Sequence, residues 1–238
     1  MNALEIMLHR WIRWMDGLLR LGCLAFFLLV LSLGMYFSYD IYHVYQRSNY
    51  ESVKKYRPIA KQEESLKTLS EDCVAWITID GTSIDDPIMQ GEDNMEYLNK
   101  DPYGEYSLSG SIFLDARCSS DFSDAYSLVY GHHMEHGAMF GALDAYESPD
   151  YFLKHQTGTL ILGDRRLAIT FFAFLDTDVS DMLVFAPSEN EGPLASIKEK
   201  GVVYFWPEEE PILCLSTCQD SASLKRTCLF AVIEGEND

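Results

Sequence analysis

Between Leu21 and Tyr39 the chain carries no charged residue, in a run reading LGCLAFFLLVLSLGMYFSY. As a helix these positions span about 28 Å, close to the hydrocarbon thickness of a bilayer. Trp11 and Trp14 precede the run, and Tyr36, Tyr39, Tyr42 and Tyr45 cluster at its far end, where amphipathic rings sit at a membrane surface. The pattern predicts an uncleaved transmembrane helix. A cleaved signal peptide is the competing reading, with small residues at Ser32-Leu33-Gly34, but the apolar run exceeds a signal core and continues past that point. Arg10, Arg13 and Arg20 lie on one side of the run and Arg47, Lys54, Lys55 and Arg57 on the other, so basic residues alone set no direction.

Beyond the span, Tyr42, Tyr45, Asn49, Val53, Tyr56 and Ala60 recur at helical spacing up to an interruption near Pro58. This predicts a stalk or a helix packed on the C-terminal domain, with a second short helix through Leu66 and Leu69. From Cys73 the period changes. Short β-rich runs punctuated by turn residues predict strands at Trp76–Ile79, Ile84–Met89, Ser111–Leu114, Leu128–Tyr130, Thr159–Leu162, Leu167–Phe174, Ile212–Thr217 and Thr227–Ile233. Helical patches are expected at Asp93–Leu98, Ala138–Leu143, Asp150–Lys154 and Glu191–Lys200. Many short strands with helical insertions predict a mainly β fold, a closed barrel or a sandwich.

Charge narrows the function. Of 238 residues, 18 are Lys or Arg and 37 Asp or Glu, for a net charge of −19. The first 40 residues are balanced, whereas residues 73–238 hold 9 basic and 29 acidic side chains. Such a surface repels phosphate backbones, which excludes nucleic acid as a partner. No phosphate-cradling glycine loop or nucleotide fingerprint appears, and six cysteines are too few for a disulfide scaffold.

Two places concentrate chemistry. In Ile212–Cys218 the alternation puts Ile212, Cys214, Ser216 and Cys218 on one face, and the chain returns with Arg226 ahead of Cys228, Phe230 and Val232. Cys218 therefore ends one strand where Arg226 begins its neighbour. A nearby cation favours thiolate, the nucleophilic form, and a guanidinium also stabilises a developing oxyanion. Equally, the cysteines could be buried hydrophobes and Arg226 a solvated strand end. A Cys214–Cys218 bridge is sterically excluded by about 13 Å of strand, while a Cys218–Cys228 bridge stays open.

The second place is Tyr130-Gly131-His132-His133-Met134-Glu135-His136-Gly137. An imidazole just past a strand end could serve a thiol as base and acid. His132, Glu135 and His136 also fit the H-x-x-E-H zinc-peptidase pattern, which requires both histidines on one helical face. The bracketing glycines argue against that helix. Asp176, Asp178 and Asp181 lack calcium-loop spacing and read as a solvated turn.

With Leu215-Ser216-Thr217-Cys218, Arg226 and Tyr130-Gly131-His132 together, the chain resembles the sortases, specifically class B. Trp76-Ile77-x-Ile79-x-Gly81-Thr82-x-Ile84-Asp85 with Pro87, Asp93-Asn94 with Tyr97-Leu98, Gly110-Ser111-Ile112-Phe113-Leu114-Asp115, and Met139-Phe140 come in the family's order. The resemblance covers about residues 73–238. His133, Asp86 and Cys214 depart from it, standing where asparagine, tyrosine and threonine are common.

The resemblance implies a closed eight-stranded β-barrel with N-terminal helices and a helical insert around 187–205, before the cysteine strand. It implies a cysteine transpeptidase without a cofactor, with Cys218 as nucleophile, His132 as acid and base, and Arg226 stabilising the oxyanion. Thr217 and Asp220 are expected to touch substrate. The substrates would be surface proteins or pilins bearing a C-terminal sorting motif, of the LPxTG or the NPQTN kind. The acceptor would be a cell-wall precursor amine or a pilin lysine. The implied order is a cytoplasmic segment 1–20, a membrane helix 21–39, a stalk or N-terminal helices 40–72, and an extracellular catalytic domain 73–238. Two other functions compete: an H-x-x-E-H metallopeptidase, and a non-enzymatic acidic ectodomain.

Overall fold

The structure is a computed structural model that describes residues 3–48, 53–58, 65–134, 137–187, 192–208, 210–218 and 224–236. The chain divides into two compact units, 1–45 and 46–238. Helix α1 spans Ala3–Ser48. Its segment Ile6–Tyr42 is long and apolar enough to cross a membrane, and no side chain of its most apolar stretch is buried by protein. Phe26, Phe27, Leu28 and Leu29 all face outward, which suits a membrane anchor.

The second unit is built on a sheet in which eight strands close on themselves. In chain order they are β1 (Cys73–Ile79), β2 (Asp85–Met89), β3 (Ile112–Leu114), β4 (Tyr126–Gly131), β5 (Thr157–Leu162), β6 (Arg165–Asp178), β8 (Ile212–Cys218) and β9 (Lys225–Glu236). Around the barrel the order is β5-β1-β2-β3-β4-β8-β9-β6, and β6 pairs back to β5 to close the ring. The pairs β2–β3 and β4–β8 are parallel; the rest are antiparallel. A ninth strand, β7 (Val202–Val203), lies against Ala173 and Phe174 of β6. Closure leaves the eight strands without a long open edge.

All eight strands expected from the sequence form. The differences lie at their ends, and β6 extends to Asp178 through polar positions that the hydrophobic pattern does not mark. The strands around the site are buried on both faces, from Ile212 to Thr217 and from Thr227 to Ile233. Such strands read as unbroken apolar runs rather than alternating ones. A 3-10 helix, Phe140–Glu147, packs over β8 and β9 and covers one face.

Between β6 and β8 the chain leaves the barrel through α4 (Met182–Phe185) and α5 (Leu194–Lys200), two short helices after α2 (Ser65–Leu69) and α3 (Pro149–Phe152). Asp181, expected in a solvated turn, is instead an anchor for this excursion. It accepts hydrogen bonds from Ser196 Oγ on α5 and Thr177 Oγ1 on β6, and pairs with Lys200 at 3.3 Å. Burial opposes its ionisation, but Ser196, Thr177 and Lys200 outweigh that and hold its carboxyl below the ordinary value.

The segment before the barrel packs on it rather than standing clear. Val53, Leu66 and Leu69 are buried in the core. Arg57 pairs with Asp85 at 3.1 Å, and Arg166 Nη2 donates to the Pro58 carbonyl at 3.1 Å.

Candidate active site

The parallel pairing of β4 with β8 sets Tyr130 beside Ser216 and Gly131 beside Thr217. His132 follows Gly131 directly, one residue past the end of β4. On the other side of β8, Cys218 is paired directly with Arg226 of β9. Strand β8 thus pairs in parallel with the strand that precedes His132 and antiparallel with the strand that bears Arg226, so segments 86 and 8 residues from Cys218 in sequence join it through one sheet.

His132, Thr217 and Arg226 all line a cavity of about 410 Å³. His132 Nε2 lies 2.9 Å from the Leu98 carbonyl oxygen. A carbonyl only accepts, so that nitrogen carries a proton. The Arg226 guanidinium donates to the Lys225 carbonyl at 3.0 Å, and its charge also reaches Asp178. Asp178 sits below the ordinary carboxylate value, chiefly through the Ser180 N–H and hydroxyl, with Arg226 a smaller contributor. Thr217 is buried and, among the described residues, its hydroxyl has no hydrogen-bond partner, an uncommon state for a buried oxygen. Asp220 lies outside the described residues.

His133 points elsewhere. It forms a β-bridge with Met139 and its Nε2 meets Asp144 Oδ2 at 2.7 Å. The backbone at His132–Met134 is therefore not helical, and the helix that an H-x-x-E-H site requires does not begin at His132. Glu135 and His136 of that pattern lie outside the described residues. Among the described residues, no three His, Cys, Asp or Glu side chains gather as a metal site.

Four described cysteines of the barrel unit are free and buried: Cys73, Cys118, Cys214 and Cys228. Burial pushes the Cys73 thiol up to about 12 and the Cys118 thiol up to about 11, and raises Cys214 well above its ordinary value. Thiols held protonated are poor nucleophiles. Cys228 donates to Ser216 Oγ at 3.6 Å, so the Cys218–Cys228 bridge left open by the sequence is not formed.

Beneath the cavity sits a carboxylate that the sequence marked only within a longer motif. Asp115 has no exposed side-chain surface and accepts five hydrogen bonds. Oδ1 takes the Arg117 N–H at 3.0 Å and Nε at 2.9 Å; Oδ2 takes Arg117 Nη2 at 2.7 Å, Asn94 Nδ2 at 2.9 Å and Tyr130 OH at 3.1 Å. Arg117 Nη2 also donates to the Phe185 carbonyl at 2.7 Å. Burial works against ionisation here, yet the Arg117 bonds and charge, with Asn94, hold the carboxyl below its ordinary value. Asn94, Tyr130 and Phe185 all line the cavity, so one buried ion pair ties three of its segments together. Of the lining residues, Met182 carried no sequence signal, because α4 is a single turn and too short to show a period.

Gly131 has a steric reason to lack a side chain. A Cβ there would stand 2.7 Å from Cδ2 and 2.8 Å from Cγ of the buried Phe140 ring. Gly131→Ala is expected to cost about 1–3 kcal/mol in urea unfolding, since the enclosed ring cannot retreat. It should also lower activity through displacement of His132; unchanged stability and activity would contradict the packing.

No protein-family model matches the chain. Sortase B of Staphylococcus aureus is 30% identical over 220 residues, covering 83% of this chain and 90% of that protein. Among solved structures, a Streptococcus pyogenes class B sortase involved in pilus biogenesis is 42% identical, with a TM-score of 0.65, covering 72% of this chain and 97% of the other. The 2.0 Å crystal structure of Staphylococcus aureus sortase B gives 29% identity and a TM-score of 0.71, over 81% of this chain and all of that one. Identity at this level across most of both chains, on the same closed eight-stranded barrel, leaves one assignment: the chain belongs to the class B sortases.

Proposed function

We propose that the chain is a membrane-anchored cysteine transpeptidase in which Cys218 is the nucleophile, His132 the acid and base, and Arg226 the oxyanion partner. The observation that supports this reading is the pairing of Cys218 with Arg226 across β8 and β9, with Arg226 and His132, one residue past β4, lining one cavity. In the first half-reaction the Cys218 thiolate attacks the carbonyl carbon of the motif threonine. The oxyanion that forms is held by Arg226 and backbone N–H groups. The C–N bond breaks as the His132 imidazolium gives its proton to the leaving amine, and a thioester is left on Cys218. An incoming amine loses a proton to His132, attacks the thioester and regenerates the thiolate. Thr217, whose hydroxyl lacks a partner among the described residues, contacts the substrate backbone, and Asp220 is a second substrate contact.

The substrates are proteins with a C-terminal sorting motif, and the acceptor is an amine of a cell-wall precursor or a pilin lysine. The 42% identity to the streptococcal enzyme makes a pilin lysine the first acceptor to test. In this arrangement residues 1–20 face the cytoplasm, 21–39 cross the membrane, 40–72 lead to the barrel, and 73–238 form the extracellular catalytic domain.

The test is joining of a sorting peptide to an amine by the full chain in detergent, with iodoacetamide or EDTA added. Alkylation is expected to stop the reaction and chelation to leave it. The reverse pattern would overturn the proposal in favour of a metallopeptidase.

A further inference from the structure

The residue after His132 is another histidine, and the two rings have different surroundings. His132 lines the cavity and meets the Leu98 carbonyl. His133 forms its β-bridge with Met139, and its Nε2–H donates to Asp144 Oδ2 at 2.7 Å. Successive side chains of extended backbone point to opposite sides, so holding the His133 ring on one side directs His132 to the other. A slip of one residue would offer the cavity His133 instead. Backbone preference alone does not hold this arrangement. Met139, opposite His133 in the bridge, has φ 50° and ψ −131°, which side chains rarely adopt, and it is buried. Strain of this kind persists only where surrounding contacts hold it. Two such contacts are made by backbone: the Phe140 N–H donates to the His132 carbonyl at 3.2 Å, and Gly141 lies too close to the Met134 carbonyl to admit a Cβ. The His133–Asp144 bond adds a side-chain contact. Asp144 belongs to the 3-10 helix Phe140–Glu147, which buries Leu143 and Tyr146 and packs over β8 and β9, so its carboxylate is a fixed point.

We infer that Asp144 is a positioning residue: by holding the His133 ring away from the cavity, it fixes the direction of the His132 ring within it. The inference rests on the transpeptidase reading and extends it to a pair of residues that act through His132. The Asp144 side chain keeps 57% of its surface in solvent, so truncating it buries no unpaired charge and leaves folding almost unchanged. The effect falls on turnover instead, which scales with the fraction of chains whose acid and base is in place. Release of the bond also lets the strained turn at Met139 relax, which favours departure from the aligned state.

The experiment compares Asp144→Ala, Asp144→Asn, His133→Ala and the double variant Asp144→Ala/His133→Ala with the parent, each as the full chain in detergent. Transfer of a sorting peptide to hydroxylamine gives kcat and KM, intact mass after mixing reports the thioester, and thermal unfolding controls for stability. Asp144→Ala is expected to lower kcat about three- to tenfold, with KM and unfolding close to those of the parent. His133→Ala should lower kcat by a similar factor, and the double variant should be no worse than either, because the two residues act through one bond. Asp144→Asn keeps an oxygen that accepts from His133 Nε2 and should restore most of kcat. Parent-like kcat in Asp144→Ala, or losses that multiply in the double variant, would overturn the inference, while a thioester on the parent chain leaves the transpeptidase reading standing. Absence of thioester from the parent would overturn that reading, and this inference with it.

Discussion

Cys218→Ala is expected to abolish joining of a sorting peptide to an amine, with a loss of at least about 10³-fold, and to leave thermal unfolding close to that of the parent chain. The loss is expected to be large because no other described thiol of the barrel unit is placed to substitute. Cys73, Cys118, Cys214 and Cys228 are buried, and the first three are held protonated. His132→Ala is expected to cost about 10²–10⁴-fold, the usual contribution of a positioned acid and base, with its effect concentrated in kcat. Arg226→Ala should also act mainly on kcat, because the guanidinium meets charge that exists only after attack. The check is steady-state transfer together with circular dichroism of each variant. Parent-like turnover by Cys218→Ala would show that Cys218 does not carry the reaction.

Asp115→Asn destabilises the barrel by about 3 kcal/mol, which for a domain of this size lowers the Tm by roughly 6–12 °C. The figure sits at the low end for breaking a buried pair because the Arg117 side chain keeps 36% of its surface in solvent. The substitution leaves the guanidinium without its counter-charge and replaces a pure acceptor by a group that also donates, facing Asn94 and Tyr130 donors. Since those two residues and Phe185 line the cavity, KM should rise more than kcat falls. Acid gives an independent view of the same group. The folded-state pKa of Asp115 is depressed, so its contribution is complete above the ordinary carboxylate range. It is lost as pH falls below that range and through the folded value. The parent chain should lose stability over that acidic window more steeply than Asp115→Asn does. Parallel pH profiles for the two chains would contradict the assignment of this carboxylate as a structural anion.

The barrel was legible because its strands carry the pattern that buried strands must carry. Ile212–Thr217 and Thr227–Ile233 are covered on both faces, so their apolar runs are unbroken and hard to mistake. The pairing of Cys218 with Arg226 was legible too, because two strands joined by a short connection fold back as a hairpin and the register comes from counting. That His132 and Arg226 line one cavity was not derivable locally. It depends on the parallel pairing of β4 with β8, separated by eighty-odd residues, and no local periodicity encodes such a partner. Only the resemblance set the two residues together. Strand β7 escaped notice because two valines make no pattern, and its structure comes from Ala173 and Phe174 opposite. Helix α4 reads MLVF, a sequence as suited to a strand. Its single turn is set by the Asp181 carbonyl, which accepts from the Val184 and Phe185 N–H groups. The function of Asp115 likewise lies in its partners, which come from β4, from the loop after β2 and, through Arg117, from α4. A lone aspartate at a strand end announces none of them.

The most direct measurement is the intact mass of the full-length chain in detergent, seconds after mixing with a sorting peptide and no acceptor, with peptide mapping of the adduct. The account predicts a mass increase equal to the peptide through its threonine, located on Cys218, reversed by hydroxylamine and absent from Cys218→Ala. An adduct on any other residue, or amide exchange without an adduct on Cys218, would contradict it.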